Sequence, residues 1–337
     1  MKNVKELAVR FSEFIKTNKK WFVLGVVLFV FVLPFVLKTS QTRILCRIIM
    51  YVTLAGSLNI INGYSGQTCL GQAGFFAIGS YTMAILITKA NMSFWILLPL
   101  CGVLAALIGV VIALPTLRMN GIYLTMITLG ASEIIRTICL NWQGLTGGSY
   151  GIKNITRPQL FGLVIDTPMK FSWLFLFVAI VFVFCSNRVL KSRIGRAWMA
   201  IREGELAAAS LGVKTSKYKV LNFAYGAFWA GICGGIYAPY LRYIDSSAFG
   251  LDECFNILSM VVIGGQGTLI GPIVGAVVVN LLTEVLRATS SWRYVIYAAI
   301  LLMMMWKRPK GLAGESKAVL FDNQRTVRKC KAKEVRK

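Results

Sequence analysis

Five side-chain amides stand in otherwise apolar or Gly-rich sequence: Asn59, Asn62, Gln67, Gln72 and Gln266. Asn59 and Asn62 are three residues apart, so a helix would place them on one face. Gln67 and Gln72 follow within "GYSGQTCLGQAG" (63–74), and Gln266 lies within "GGQGTLIGP" (264–272). An amide carries both donors and acceptors, so these groups can hold a polar solute without burying a charge. They can equally tie one helix to another. Charged groups in the apolar stretches are few. Glu133 and Arg136 are spaced to pair on one helix, and Glu284 stands near the end of another stretch.

Other chemistries are excluded or unsupported. The chain has no histidine, which removes His-based triads and zinc sites. Its eight cysteines are Cys46, Cys69, Cys101, Cys139, Cys185, Cys233, Cys254 and Cys330, with no two at C-x-x-C spacing. Most lie in or beside apolar runs and read as small buried hydrophobes rather than a disulfide frame or metal site. No G-x-x-x-x-G-K-[ST] stretch exists, so the chain has no P-loop with which to hydrolyse ATP. No catalytic residue, metal or cofactor is expected.

The elements that must position the amides follow from composition. Of 337 residues, 56% are hydrophobic and only 15% charged, where a soluble domain would be about a quarter charged. Candidate spans cover roughly 22–37, 44–62, 73–88, 95–115, 121–140, 171–190, 220–241, 254–283 and 292–306, several near the ~20 residues that cross a hydrocarbon core. The expected fold is an all-α polytopic membrane protein of about eight to ten transmembrane helices, with one or two broken or re-entrant segments. Residues 1–21 form a cytoplasmic segment, 22–306 the transmembrane domain with a charged loop at 191–219, and 307–337 a basic tail. The run Trp21–Leu37 is followed by "KTSQTR" with no small-residue cleavage site, so it reads as an uncleaved first span.

The net charge of +24 is not spread evenly. Residues 1–20 hold 6 Lys and Arg, residues 188–219 hold 8, and residues 307–337 hold 11. The positive-inside rule accounts for this clustering better than nucleic-acid binding does. The tail can also touch anionic lipid heads.

Parity then locates an irregularity. With the N-terminus inside, six crossings bring the loop 191–219 inside, as its charge requires. Three more crossings would put the basic tail outside. The segment 254–283 is too long for one ordinary span and is interrupted by Gly264, Gly265, Gly267, Gly271 and Pro272. It is expected to be a hairpin that enters and leaves on one side. Irregular backbone at membrane depth is tolerated where protein buries it or it lines a watery cavity. The earlier "GYSGQTCLGQAG" shares a Gly-Gln pair, a later Gly and a following apolar helix, which points to a possible internal repeat.

Within the charged loop, "GRAWMAIREGELAAASL" (195–211) is helix-prone and Gly212 is a natural stop. Such a helix can rest on lipid or dock a cytosolic partner. In the docking case Arg202, Glu203 and Glu205 face solvent.

The sequence "GRAWMAIREGELAAASLGVKTSKYKVLNFAYGAFWAGICGGIYA" (195–238) resembles the coupling region of permease subunits of branched-chain amino acid ABC transporters. The resemblance extends through "SLNIINGYSGQTCLGQAGFFAIGSY" (57–81), "LRMNGIYLTMITLGASEIIR" (117–136), "NWQGLTGGSYGI" (141–152) and "VVIGGQGTLIGPIVGA" (261–276). It is nearer the LivM type than the LivH type. The resemblance implies a second permease subunit of LivH type, two cytosolic ATP-binding subunits and an extracytoplasmic substrate-binding protein. It also implies a bacterial or archaeal cytoplasmic membrane with both termini cytoplasmic. The loop is similar to the "EAA" loop of such importers, with Glu205, Ala207, Ala208 and Gly212 in corresponding roles, although Gly212 follows Glu205 by seven positions where the motif has six. Asn59, Asn62, Gln67, Gln72, Gly264, Gly265 and Gln266 are the candidates for the substrate path. A permease of the same family for urea, amides or another small solute is an alternative. An ion-coupled secondary transporter is an alternative of another class, against which the scarcity of buried carboxylates weighs.

Overall fold

A computed structural model describes residues 31–35, 37–90, 92–117, 119, 121–160, 163–286, 298–299, 302–303, 306 and 311–313. Its helices are α1 (Thr39–Asn59), α2 (Gln72–Ala90), α3 (Phe94–Thr116), α4 (Ile122–Asn141) and the short α5 (Gln143–Thr146). After these come α6 (Pro168–Lys191), α7 (Arg193–Glu203), α8 (Glu205–Ser210), α9 (Thr215–Leu241), α10 (Leu251–Gly264) and α11 (Gly271–Val285).

Six helical segments among the described residues are long and apolar enough to cross a membrane: α1 with its π-helical continuation to Tyr64, α2, α3, α4, α6 and α9. They coincide with the six spans expected between residues 44 and 241. The expected spans 22–37 and 292–306 lie largely outside the described residues, as does most of the basic tail.

The segment 254–283 is two helices. α10 has 14 residues and α11 has 15, each about 21–23 Å long and so too short to cross alone. Gly264 faces Gly271, and Gly275 faces Met260. These pairings run antiparallel, so the two helices form the hairpin that parity required. Side chains are absent where the backbones come closest: a Cβ on Gly275 would run into the Met260 carbonyl. Residues Gly311–Ala313 return to this tip. The Leu312 N–H donates to the Ile263 carbonyl at 2.8 Å and the Ala313 N–H to the Gly264 carbonyl at 2.9 Å.

α9 is the hub of the fold, packed most extensively on α3 and α2 and also against α1. Its small residues make this possible. Gly226 sits under Ile61, Gly231 against the Cys101 carbonyl and Ala105, and Gly234 against Phe76 and Ser80. Removing side chains lets backbones approach where lipid provides no hydrophobic drive between helices. Larger side chains fill the space around them, with Phe75, Phe76, Phe182 and Phe223 fully buried. Cys46, Cys69, Cys101, Cys139, Cys233 and Cys254 are buried in the same core, and Cys185 is half-buried.

α3 and α4 form the open side. Ile122, Tyr123, Met126, Ile134 and Ile138 of α4 and Leu107, Val111 and Leu114 of α3 are exposed. In a membrane these surfaces meet lipid or another apolar chain. Glu133 and Arg136 pair on α4, with Arg136 Nε donating to Glu133 Oε1 at 2.7 Å. Both are partly exposed, so the pair satisfies two charges on one helix.

Among the described residues, structure outside the helices is slight. Strands β1 (Ile152–Lys153), β2 (Gln159–Leu160), β3 (Leu163–Val164) and β4 (Tyr243–Ile244) form two small antiparallel pairs, β1 with β4 and β2 with β3. The first pair ties the loop after α5 to the loop after α9.

Candidate functional site: the junction of two broken segments with the charged loop

The first break begins where α1 changes to a π-turn at Ile60–Tyr64 and ends at α2. Non-helical backbone runs from Ser65 to Gly71, with Gly66 at φ +70°. Asn62 holds this backbone. Its Nδ2 donates to the Cys69 carbonyl at 3.2 Å and its Oδ1 accepts from the Cys69 N–H at 3.0 Å. Both halves of one amide thus replace the helical bonds that the break removed.

The second break is the hairpin tip, Gly265–Ile270. Asn59 holds it in the same way from α1. Its Nδ2 donates to the Thr268 carbonyl at 2.8 Å and its Oδ1 accepts from the Gly267 N–H at 3.0 Å. The two breaks also touch: a Cβ on Gly63 would lie 2.5 Å from the Gly267 nitrogen. Asn59 and Asn62, adjacent on one helical face, therefore each fasten one break.

Around the first break lies a buried polar cluster. Gln72 Nε2 donates to Ser57 Oγ at 2.5 Å and to the Gly226 carbonyl at 3.4 Å. Asn222 Nδ2 donates to Gln67 Oε1 at 3.5 Å. Gln72 Oε1, Asn222 Oδ1 and Ser65 Oγ are buried without a hydrogen-bond partner. Such groups are costly to strand and mark places where water or a solute completes the bonding. Asn222 was missed from sequence, although an amide inside the apolar run "VLNFAYGAFWAG" is the same signal that marked the other five.

Gly264 and Gly265 are buried at the hairpin tip, and Gln266 is exposed there. Gly265 has φ +108° and Gly267 φ +82°, backbone that favours glycine.

The charged loop is three pieces. Ser192 caps α7, its hydroxyl accepting from the Ile194 N–H at 3.2 Å. Gly195 then lies directly on the Leu190 backbone, so α7 folds back at the end of α6. α7 is docked by its apolar face: Trp198 is fully buried and its Nε1 donates to the Tyr218 carbonyl at 2.9 Å. Its last turn reaches both breaks. A Cβ on Gly66 would sit 3.1 Å from Arg202 Cγ, and one on Gly267 would sit 2.5 Å from an Arg202 guanidinium nitrogen. Arg202 is exposed, yet it lies against both broken segments.

After Gly204 comes α8. Glu205 at its start pairs with Lys219 of α9 at 2.6 Å, and the Lys219 side chain is only 5% exposed. Ala208 is buried while Ala207 is exposed. Glu203 is exposed as well, and Leu206 and Leu211 are 88% and 83% exposed. Gly212 follows with φ +82° and open space around it.

A family model described as the branched-chain amino acid transport system permease component matches residues 40–305. The chain belongs to this permease family. The LivM high-affinity branched-chain amino acid transport permease protein of Salmonella typhimurium is 32% identical over 318 residues, covering 88% of this chain and 75% of the relative. The Escherichia coli LivM protein is 33% identical over the same shares. The Salmonella typhimurium LivH permease protein is 23% identical over 295 residues, 78% of this chain and 91% of the relative. The nearer likeness to LivM than to LivH agrees with the motif resemblance. No solved structure matches the chain. In this permease the matched region begins one residue into α1 and takes in both breaks, the charged loop and the hairpin.

Proposed function

We propose that the chain is the transmembrane permease subunit of an ABC importer and forms, with a second permease of LivH type, the path for branched-chain amino acids. Two cytosolic ATP-binding subunits dock on the coupling segment 195–213, and an extracytoplasmic binding protein delivers the substrate. ATP hydrolysis belongs to those partner subunits, and this chain is not an enzyme. The termini and the loop 191–219 face the cytoplasm of a bacterial or archaeal cell.

One observation carries the proposal. The loop presents Leu206 and Leu211 almost fully exposed, while a few residues away Arg202 rests on both broken segments. A partner bound at α8 thus holds a segment whose neighbouring turn, across Gly204, touches the irregular backbone. The Glu205–Lys219 pair ties α8 to α9, so a displacement of α8 is passed to the hub helix. The buried amides and unpartnered oxygens beside the first break suit a zwitterion crossing without fixed charges at depth.

The test is co-purification. The chain is co-expressed with the ATPase subunits encoded beside it and purified through a tag. Retention of an ATPase, lost when residues 201–212 become a Gly/Ser stretch in a chain that still inserts, is the expected result. An intact chain that retains no ATPase, in conditions that preserve a known importer, overturns the proposal. Uptake by the isolated chain driven by an ion gradient would then be measured.

A further inference from the structure

The charged loop also carries an open cleft that borders the coupling segment at Leu211 and Gly212 but whose basic lining the coupling role does not explain. It measures about 470 Å³ and lies between α7 and the chain entering α9. Arg193, Arg196, Lys214 and Lys217 line it together with Tyr218, and no carboxylate is among its lining residues. All four cations are exposed, and among the described residues none of them pairs with a carboxylate. Arg196 donates only to a backbone carbonyl, that of Lys191, at 3.3 Å.

This convergence is unfavourable in an empty cleft. Like charges gathered in one concavity repel, and these four stand at helix starts. Arg193 and Arg196 are in the first turns of α7, while Lys214 precedes α9 and Lys217 is its third residue. Helix starts carry partial positive charge and are stabilised by anions, not cations. The positive-inside bias asks only that basic residues lie somewhere in the loop. It does not ask that they share one cleft without an acid.

The level of the cleft names the anion. α6 ends at Lys191 and α9 begins at Thr215, and both are membrane-spanning by length and composition. A cleft between the ends of two such helices is placed by their length at the level of the lipid headgroups, and basic pockets at that depth suit phosphate. Guanidinium groups match phosphate oxygens in pairs. We propose that the cleft is a binding site for a phosphate-bearing anion, supplied by the headgroup of an acidic phospholipid or by free phosphate. The site overlaps the proposed coupling segment at Leu211 and Gly212, but its test needs neither ATPase nor transported solute.

The test uses the full chain in neutral detergent. Native mass spectrometry reads lipid retained during titration with phosphatidylglycerol or phosphatidylcholine, and thermal stability is read with inorganic phosphate against chloride. The wild-type chain is expected to prefer phosphatidylglycerol, and Arg196→Gln with Lys217→Gln to weaken that preference about tenfold or more. Lys329→Gln with Lys331→Gln, which removes equal charge from the tail, is expected to leave it. Single Arg196→Gln and Lys217→Gln variants, each expected to show part of the loss, keep the test open should the pair misfold. Stabilisation by inorganic phosphate that the cleft variants lose, without a lipid preference, supports the site and names free phosphate as its source. Equal loss in cleft and tail variants means diffuse charge and overturns the proposal. So does a cleft pair that binds lipid and phosphate like the wild type but no longer retains an ATPase, since the cleft would then face protein.

Discussion

The Asn59 side chain donates to the Thr268 carbonyl at 2.8 Å across 209 positions of sequence, and its other amide atom accepts from the neighbouring Gly267 N–H. One side chain on α1 therefore satisfies both a donor and an acceptor of the hairpin tip. Asn62, one turn on, does the same for the first break through Cys69. The irregular backbone stays irregular because two amides bond it in place of helical partners.

Asn59→Leu removes both bonds and leaves the Thr268 carbonyl and the Gly267 N–H without this partner. Both groups are part-buried, so stranding them costs up to about 1–3 kcal/mol, the penalty of a fully buried group. The purified variant is expected to unfold several degrees below the wild type, with a thiol probe labelling the partly exposed hairpin tip faster at Thr268→Cys than it does when Asn59 is present. An unchanged melting temperature and an unchanged labelling rate would mean that the hairpin is held by its glycine contacts instead.

The Glu205–Lys219 pair makes a second prediction. Lys219 is nearly buried while Glu205 is about a third exposed, so the lysine is the member that suffers when the pair is broken. Glu205→Leu should destabilise the α8–α9 connection by about 1–3 kcal/mol, less than a fully buried pair would lose. Glu205→Leu combined with Lys219→Leu should recover much of that loss. Limited proteolysis at the basic residues 214 and 217 reads the local opening. A double variant cut as fast as Glu205→Leu would show that the ion pair is not what secures α8.

These relationships show where the sequence was informative. Apolar length located the six described spans, and charge parity together with Gly264, Gly265 and Pro272 called for a hairpin. The amides were visible as polar groups in apolar surroundings, but their partners were not. Asn59 reaches a backbone more than two hundred residues away, which no local pattern encodes. Arg202 reads as a solvent-facing charge on a short helix, and its contact with Gly66 and Gly267 depends on how α7 folds back over Gly195. The return of Gly311–Ala313 to the hairpin tip left no local trace, because its bonds are backbone to backbone.

A third prediction concerns Leu206 and Leu211. Both are large, apolar and almost wholly exposed on the loop. Substitution at exposed positions normally changes stability by no more than about 0.5 kcal/mol. Leu206→Glu and Leu211→Glu should therefore insert and melt like the wild type, yet lose at least about tenfold in ATPase retention if a partner buries these side chains. Undiminished retention would move the docking surface elsewhere on the loop.

Gly212 provides the sharpest test of coupling, because space and conformation separate there. Its φ is +82°, and a Cβ at this position would meet nothing within 4 Å. A side chain is thus tolerated sterically by its neighbours and opposed only by the backbone. A β-branched residue in that conformation costs about 1–3 kcal/mol, whereas asparagine adopts it more readily. Gly212→Val should shift the path from α8 into α9 while leaving the spans intact. In an assembled complex it should retain the ATPase and lose most of the stimulation by substrate-loaded binding protein, with Gly212→Asn close to wild type. Normal stimulation with Val at this position would separate the positive φ from coupling and leave the Glu205–Lys219 pair as the connection between α8 and the hub helix.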